Sequence, residues 1–172
     1  MADPSTTDAD PNDGRDETLT ERSDRNWDEL LQEFRVLQTG TQILAGFLLT
    51  LPFQARFDEL SAFDLGVYLT LVIGAVLLTL LALTPVSLHR LLFRRHAKPV
   101  LVSAGSRILI ACLAASSLLF AGIVLFLFEF LLPSPAGWIA GGAVIVVALG
   151  LWVVLPLVLR GHGAVDSRTD VE

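Results

Sequence analysis

Four apolar stretches, Val36–Phe53, Leu65–Leu83, Ile108–Leu132 and Ala136–Leu159, are separated by short polar or proline-containing connections. Each is close to the ~20 residues that an α-helix needs to cross a ~30 Å hydrocarbon core. In lipid, a helix is the local structure that satisfies its own backbone N–H and C=O groups. A water-soluble fold would have to cover every face of four such rods. A chain of 172 residues, 53% of them hydrophobic, has too little other sequence to do so. The expected fold is all-α: a four-helix transmembrane bundle with an N-terminal amphipathic interfacial extension and a short basic surface helix between helices two and three.

Charge is segregated along the chain. Up to Asp24 the sequence is acidic and poor in apolar residues, with Asp3, Asp8, Asp10, Asp13, Asp16, Glu17, Glu21 and Asp24 against Arg15 and Arg22. Such a segment buries too little apolar surface to offset its ordering entropy. The expected organisation is therefore an acidic disordered tail over 1–25, a membrane domain over 26–160 and a short polar tail over 161–172. The stretch up to Asp24 alone carries the equivalent of the chain's net charge of −6. The N-terminus lacks a basic segment followed by an apolar core, so no cleavable signal peptide is expected. The single cysteine, Cys112, lies in an apolar run and reads as a small packing residue.

Local signals place the elements. Asn26 and Glu29 have capping-box spacing, and Trp27, Leu30, Leu31, Phe34 and Leu37 then recur at helical intervals. Trp27–Arg35 reads as an interfacial prelude to the first crossing, with Pro52 near its far end. Ser61 and Asp64 repeat the capping-box pattern before helix two. Thr84–Pro85 implies a kink or a new helix start. Beyond it, Leu88, Leu91, Leu92 and Phe93 alternate with His89, Arg90, Arg94, Arg95 and His96, the pattern of a basic amphipathic helix on a membrane surface. Pro99 precedes helix three, Pro133–Pro135 turns the chain, and Pro156 falls in the last turn of helix four.

Orientation follows from the basic residues. Arg90, Arg94, Arg95, Lys98 and Arg107 flank the connection between helices two and three. Arg22, Arg25 and Arg35 precede the first crossing, Arg160 follows the fourth, and Arg56 alone lies on the opposite side. Lys and Arg near crossings favour the cytosol. Both termini and the middle connection are expected there, in a multi-pass protein of the cytoplasmic membrane. Arg90, Arg94, Arg95 and Lys98 are the expected contacts to lipid headgroups.

Small or weakly polar residues stripe every helix: Gln38, Gln42 and Gly46; Gly66, Thr70 and Gly74; Ala111, Ala115, Leu118 and Gly122; Gly137 and Gly141. Lipid supplies little hydrophobic drive between helices, so close backbone approach matters. Gly46, Gly74, Gly122, Gly137 and Gly141 are the expected packing positions. The Gly137/Gly141 pair fits either intrachain packing or a contact with another protomer. Gln38 and Gln42 need partners in hydrocarbon, as glue between helices or as the lining of a polar path. Glu129 is the one acidic residue inside an expected span, which makes it a functional candidate. It shares a helical face with Gly122 and Leu125 and lies about a turn from the outer end, where a structural role is also open. Arg107 falls near the same face but about 33 Å away along the helix, too far to pair with Glu129.

The chain shows no GxSxG, phosphate-binding glycine loop, HExxH, CxxC or dinucleotide fingerprint. No enzyme activity, cofactor, metal site or nucleic-acid partner is expected. His89 and His96 share a face but lack further ligands to complete a metal set.

The run from Asn26 to Leu44, continuing through Leu51–Phe57, together with Thr84–Arg95 and Gly105–Arg107, resembles an uncharacterised family of small four-helix bacterial membrane proteins. The resemblance implies an actinobacteria-like source and a domain of unknown function, whose members sometimes carry a sodium–proton antiporter label. The residues do not back that label, since antiport needs a carboxylate or paired carboxylates at depth, reachable from both sides in turn, and Glu129 is a single one close to the outer end. Two functions are therefore expected to compete. One is a non-enzymatic structural or accessory membrane protein, alone, as a homo-oligomer or in a larger complex. The other is a small proton- or cation-coupled transporter.

Overall fold

The computed structural model describes residue 8 and residues 14–92, 98–132 and 135–159, with side chains from 14 to 91, 100 to 132 and 135 to 159. Among the described residues there are four helices and no strand: α1 (Leu19–Thr50), α2 (Ala62–Leu92), α3 (Lys98–Leu131) and α4 (Ala136–Leu149). A π-helical turn, Gly150–Val154, extends α4, so that its apolar rod runs to Leu159. All four are long and apolar enough to cross a bilayer.

Helix α1 begins earlier than the Asn26–Glu29 spacing implies. Thr18 is its cap: the Glu21 N–H donates to Thr18 Oγ1 at 3.3 Å, and the Glu21 carboxylate accepts from the Thr18 N–H at 2.8 Å. Both boxes satisfy the spacing rule, and the upstream one wins because Arg25 secures the turn around it. That guanidinium holds Glu17 at 2.7 Å and Glu29 at 3.0 Å. Leu19–Arg25, assigned to the acidic tail by composition, is thus helical; residues 1–7 and 9–13 of that tail lie outside the described residues. At its other end α1 gives way to a 3₁₀ turn, Leu51–Phe53, where the Pro52 ring excludes another α-turn.

The second expected box is present as written. Ser61 Oγ donates to the Asp64 carboxylate at 2.6 Å and accepts from the Asp64 N–H at 3.1 Å. Helix α2 then passes through Pro85 to Leu92 without interruption. The basic segment expected to form a separate surface helix is, as far as Leu92, the end of α2; residues 93–97 lie outside the described residues. Pro85 is fully buried, and this packing offsets the hydrogen bond its ring removes. In α4 a proline acts differently. The Leu155 N–H reaches back five residues to the Gly150 carbonyl, and this wider turn sits just before Pro156. Widening makes room for the ring and the missing donor.

The chain divides into two compact units, entering and leaving each within α2 and α3: Met1–Leu51 with Val72–Ala115, and Pro52–Leu71 with Ser116–Glu172. In the first unit, α1 buries Trp27, Phe34, Thr41 and Leu48, one residue in seven. Here α2 buries Ala75, Leu78, Ala82 and Pro85, and α3 buries Leu101, Gly105 and Cys112. Seven-residue recurrence with three–four steps is the seam of a coiled-coil-like contact. In the second unit the core is Tyr68 and Leu71 from α2, Ser116, Leu119, Ala121, Ile123 and Phe126 from α3, and Gly137 and Gly141 from α4. Hydroxyls within the helices bond their own preceding turn, as Thr41 does to the Leu37 carbonyl at 2.7 Å and Thr79 to Ala75 at 2.9 Å. They thereby satisfy their donors within an apolar rod.

Candidate functional site

In the second unit, α4 opens against α3. A methyl group on Gly137 would stand 2.6 Å from Glu129 Oε2 and 2.7 Å from the Leu125 carbonyl oxygen; one on Gly141 would stand 3.0 Å from both the Ala121 carbonyl and Leu125 Cβ. Only glycine permits that approach. The GxxxG pair is therefore occupied inside the chain, by Ala121, Leu125 and Glu129.

Glu129 is half-buried, but its Oε2 is enclosed and has no hydrogen-bond partner. The enclosure has an electrostatic logic. Pro135, which caps α4, offers no side-chain hydrogen bond, and the first N–H groups of any helix lack intrahelical acceptors. The Glu129 carboxylate lies against the first turn of α4, the positive end of the helix dipole. The carboxylate thus faces a helix N-terminus with no hydrogen bond to its Oε2.

Aromatic rings gather in the same unit. Phe57 meets Tyr68 edge-on at 5.2 Å, Tyr68 lies 6.1 Å from Phe126, and Phe63 lies 6.2 Å from Trp138. Arg56 sits 4.8 Å over the Phe130 ring while bonding Glu59 at 2.9 Å. Of these rings Tyr68 and Trp138 carry a polar edge, which suits the headgroup level of a bilayer.

The other sequence candidates divide. Gly122 is in close contact, its missing methyl 2.6 Å from Leu71 Cδ2. Gly46 and Gly66 face open space, with nothing within 4 Å of where a methyl would stand, and Gly74 is half-buried. Gln38 is half-buried and Gln42 exposed, so Gln42 does not turn into the unit that holds it. Both glutamines belong to the first unit and Glu129 to the second. On α3 the stripe through Ala111 and Leu118 is exposed; the buried line is one position on, through Cys112, Ser116 and Leu119. Cys112 is wholly buried, as a small packing residue should be. Arg90 and Arg107 are exposed; Arg94 and Arg95 lie outside the described residues, as does the Lys98 side chain. Among the described residues no group of three or more His, Cys, Asp or Glu is placed to hold a metal ion.

Sequence reasoning missed a contact in the first unit. Trp27 and His89 stack with ring centroids 5.3 Å apart and planes inclined by 17°. Beneath Trp27, a methyl on Gly105 would stand 3.4 Å from its Cζ3 and 3.3 Å from Leu30 Cδ1. The signal available was Trp27 itself, which heads a seven-residue series of large side chains.

The model of a family of unknown function, DUF6328, matches residues 16–156. No curated protein and no solved structure matches the chain. The family match starts ahead of α1, in keeping with the Thr18 cap, and spans all four helices.

Proposed function

The chain belongs to that family, and for it we propose the role of a non-catalytic, multi-pass membrane protein that acts as a structural or accessory partner of other membrane components. The observation that carries this reading is helix α4: no residue from Gly142 to Leu159 is buried, although the segment is almost wholly apolar. Large side chains such as Ile43, Phe53, Ile73, Val146 and Leu159 are exposed along the helices as well. Lipid is the solvent that such surfaces fit, and a partner helix can replace lipid at little cost. In this reading the termini and the 93–97 connection face the cytosol, and Arg90, Arg94, Arg95 and Lys98 meet anionic headgroups.

A second reading, a proton- or cation-coupled transporter, is favoured by one observation, the enclosed and unpartnered Glu129 Oε2. One experiment separates the two. The purified protein is reconstituted in liposomes with an internal pH dye, under sodium, potassium and proton gradients, as wild type and as Glu129→Gln. The accessory role predicts no flux above empty liposomes in either. Flux in the wild type that Glu129→Gln abolishes, with assembly unchanged, would replace it with the transporter.

A further inference from the structure

Gln42 is the polar side chain that the first unit leaves unused. It stands six residues beyond Val36, where the first apolar stretch begins, about 9 Å along the helix, and it is exposed. Threonines of this stretch serve their own helix: Thr39 Oγ1 donates to the Arg35 carbonyl at 2.9 Å and Thr50 Oγ1 to the Phe47 carbonyl at 2.7 Å. The Gln42 amide bonds nothing among the described residues. An unpaired amide is costly in hydrocarbon, and lipid tails offer it no partner. Gln42 also belongs to a series. Thr39, Gln42, Gly46 and Leu49 recur in steps of three and four, and all are exposed. They form a second seam on α1, turned about 100° around the axis from the buried one through Phe34, Thr41 and Leu48. Nothing lies within 4 Å of where a methyl on Gly46 would stand, so the seam has a hollow one turn from the amide.

We propose that this seam is the contact by which two copies of the chain pair in the bilayer, α1 against α1, with the two Gln42 amides bonded to each other. Symmetry selects a second copy as the occupant. Copies inserted with the same orientation set their α1 helices parallel about a twofold axis, where a residue meets its own counterpart. A carboxamide both donates and accepts, so each Gln42 donates to the oxygen of the other and accepts from its nitrogen. Hydrogen bonds between amides hold helices together in lipid, and glycine lets them approach. Arg35 is the next position of the series and would meet like charge. It precedes the apolar stretch and bonds Gln32 at 3.3 Å, so the contact ends at Thr39. Gly137 and Gly141 are already filled by α3 and take no part. The inference rests on α1 crossing the bilayer and on neither reading of function.

The test uses the full chain in vesicles of phosphatidylcholine and phosphatidylglycerol. Asp28→Cys in a Cys112→Ser background carries a donor dye in one pool and an acceptor dye in another, and energy transfer is followed as lipid dilutes the protein. The expected result is a dimer that dissociates reversibly on dilution. Gln42→Leu should weaken it about tenfold, because two hydrogen bonds between helices are lost together. Gln42→Asn keeps the amide and should retain most of the dimer. Gln42 is exposed, so neither change disturbs the buried seam. Single cysteines then map the face. Thr39→Cys and Leu49→Cys should cross-link on oxidation. Gly40→Cys and Phe47→Cys are also at exposed positions, but lie about 140–160° round the axis from Gln42 and should not. Dimers that Gln42→Leu leaves unchanged, or equal cross-linking at all four positions, would overturn the proposal. So would a monomer at every dilution: if extraction still needs detergent, the bilayer account stands and the seam is left to a helix of another protein.

Discussion

Glu17 and Glu129 are both half-buried carboxylates, and they are treated in opposite ways. Glu17, ahead of α1, is gripped by two nitrogens of Arg25, at 2.7 and 3.1 Å. Glu129, in α3, has an enclosed oxygen with no partner and the α-carbon of Gly137 beside it. Where water is near, an arginine can be spared to neutralise an acid, and the pair is worth little. Within an apolar rod a second charge would have to be taken out of water as well, so the fold offers the acid a helix N-terminus instead. The contrast teaches that close glycine packing, more than ion pairing, governs what the second unit can hold.

The largest test of that contrast is Gly137→Ala. The added methyl would overlap both the Glu129 carboxylate and the Leu125 backbone carbonyl, and backbone cannot swing aside. Overpacking of this kind costs about 1–3 kcal/mol, against at most about 1 kcal/mol returned by the better helix former. Gly46→Ala is the control, because its methyl meets nothing; it should leave stability unchanged or raise it slightly. Unfolding in detergent, read as the shift in Tm, should thus move in opposite directions for the two variants. Equal effects would remove the packing argument.

The smallest effect belongs to Glu17. Its hydrogen bonds from Arg25 hold its carboxyl below the ordinary value of 4.5. A lowered carboxyl contributes stability that is complete above the ordinary value and is lost as pH falls through the lowered one. The first turn of α1 should therefore exchange its amide hydrogens faster only below about pH 4.5. Glu17→Gln should exchange at the faster rate at every pH. A change centred near neutrality would mean that some other group controls this turn.

Much of the fold was legible from residue order. Length and apolarity fixed the number of rods, and Ser61–Asp64 fixed the start of α2, because both depend on local chemistry. What a sequence pattern could not decide was choice among equivalent local signals. Thr18–Glu21 and Asn26–Glu29 both carry cap spacing, and only the fold of Glu17 onto Arg25 selects the first. Pro85 can break a helix or be buried in one, and the outcome rests on neighbours far away in sequence. Glu129 was recognisable as an unusual residue in a span, but its contact with Gly137 depends on how α4 returns along α3. The Trp27–His89 stack joins residues more than sixty positions apart, and the seven-residue series that Trp27 heads gave no sign of which residue it would meet.

The central claim is that the four apolar helices cross a bilayer, with the ends of the chain on one side and the α1–α2 connection on the other. Single cysteines at Asp28 and Arg56, in a Cys112→Ser background, test it in intact cells with a membrane-impermeant maleimide. Rapid labelling is expected at position 56, and labelling at position 28 only after the membrane is opened. Labelling of both positions in intact cells, or protein recovered from the soluble fraction without detergent, would contradict it.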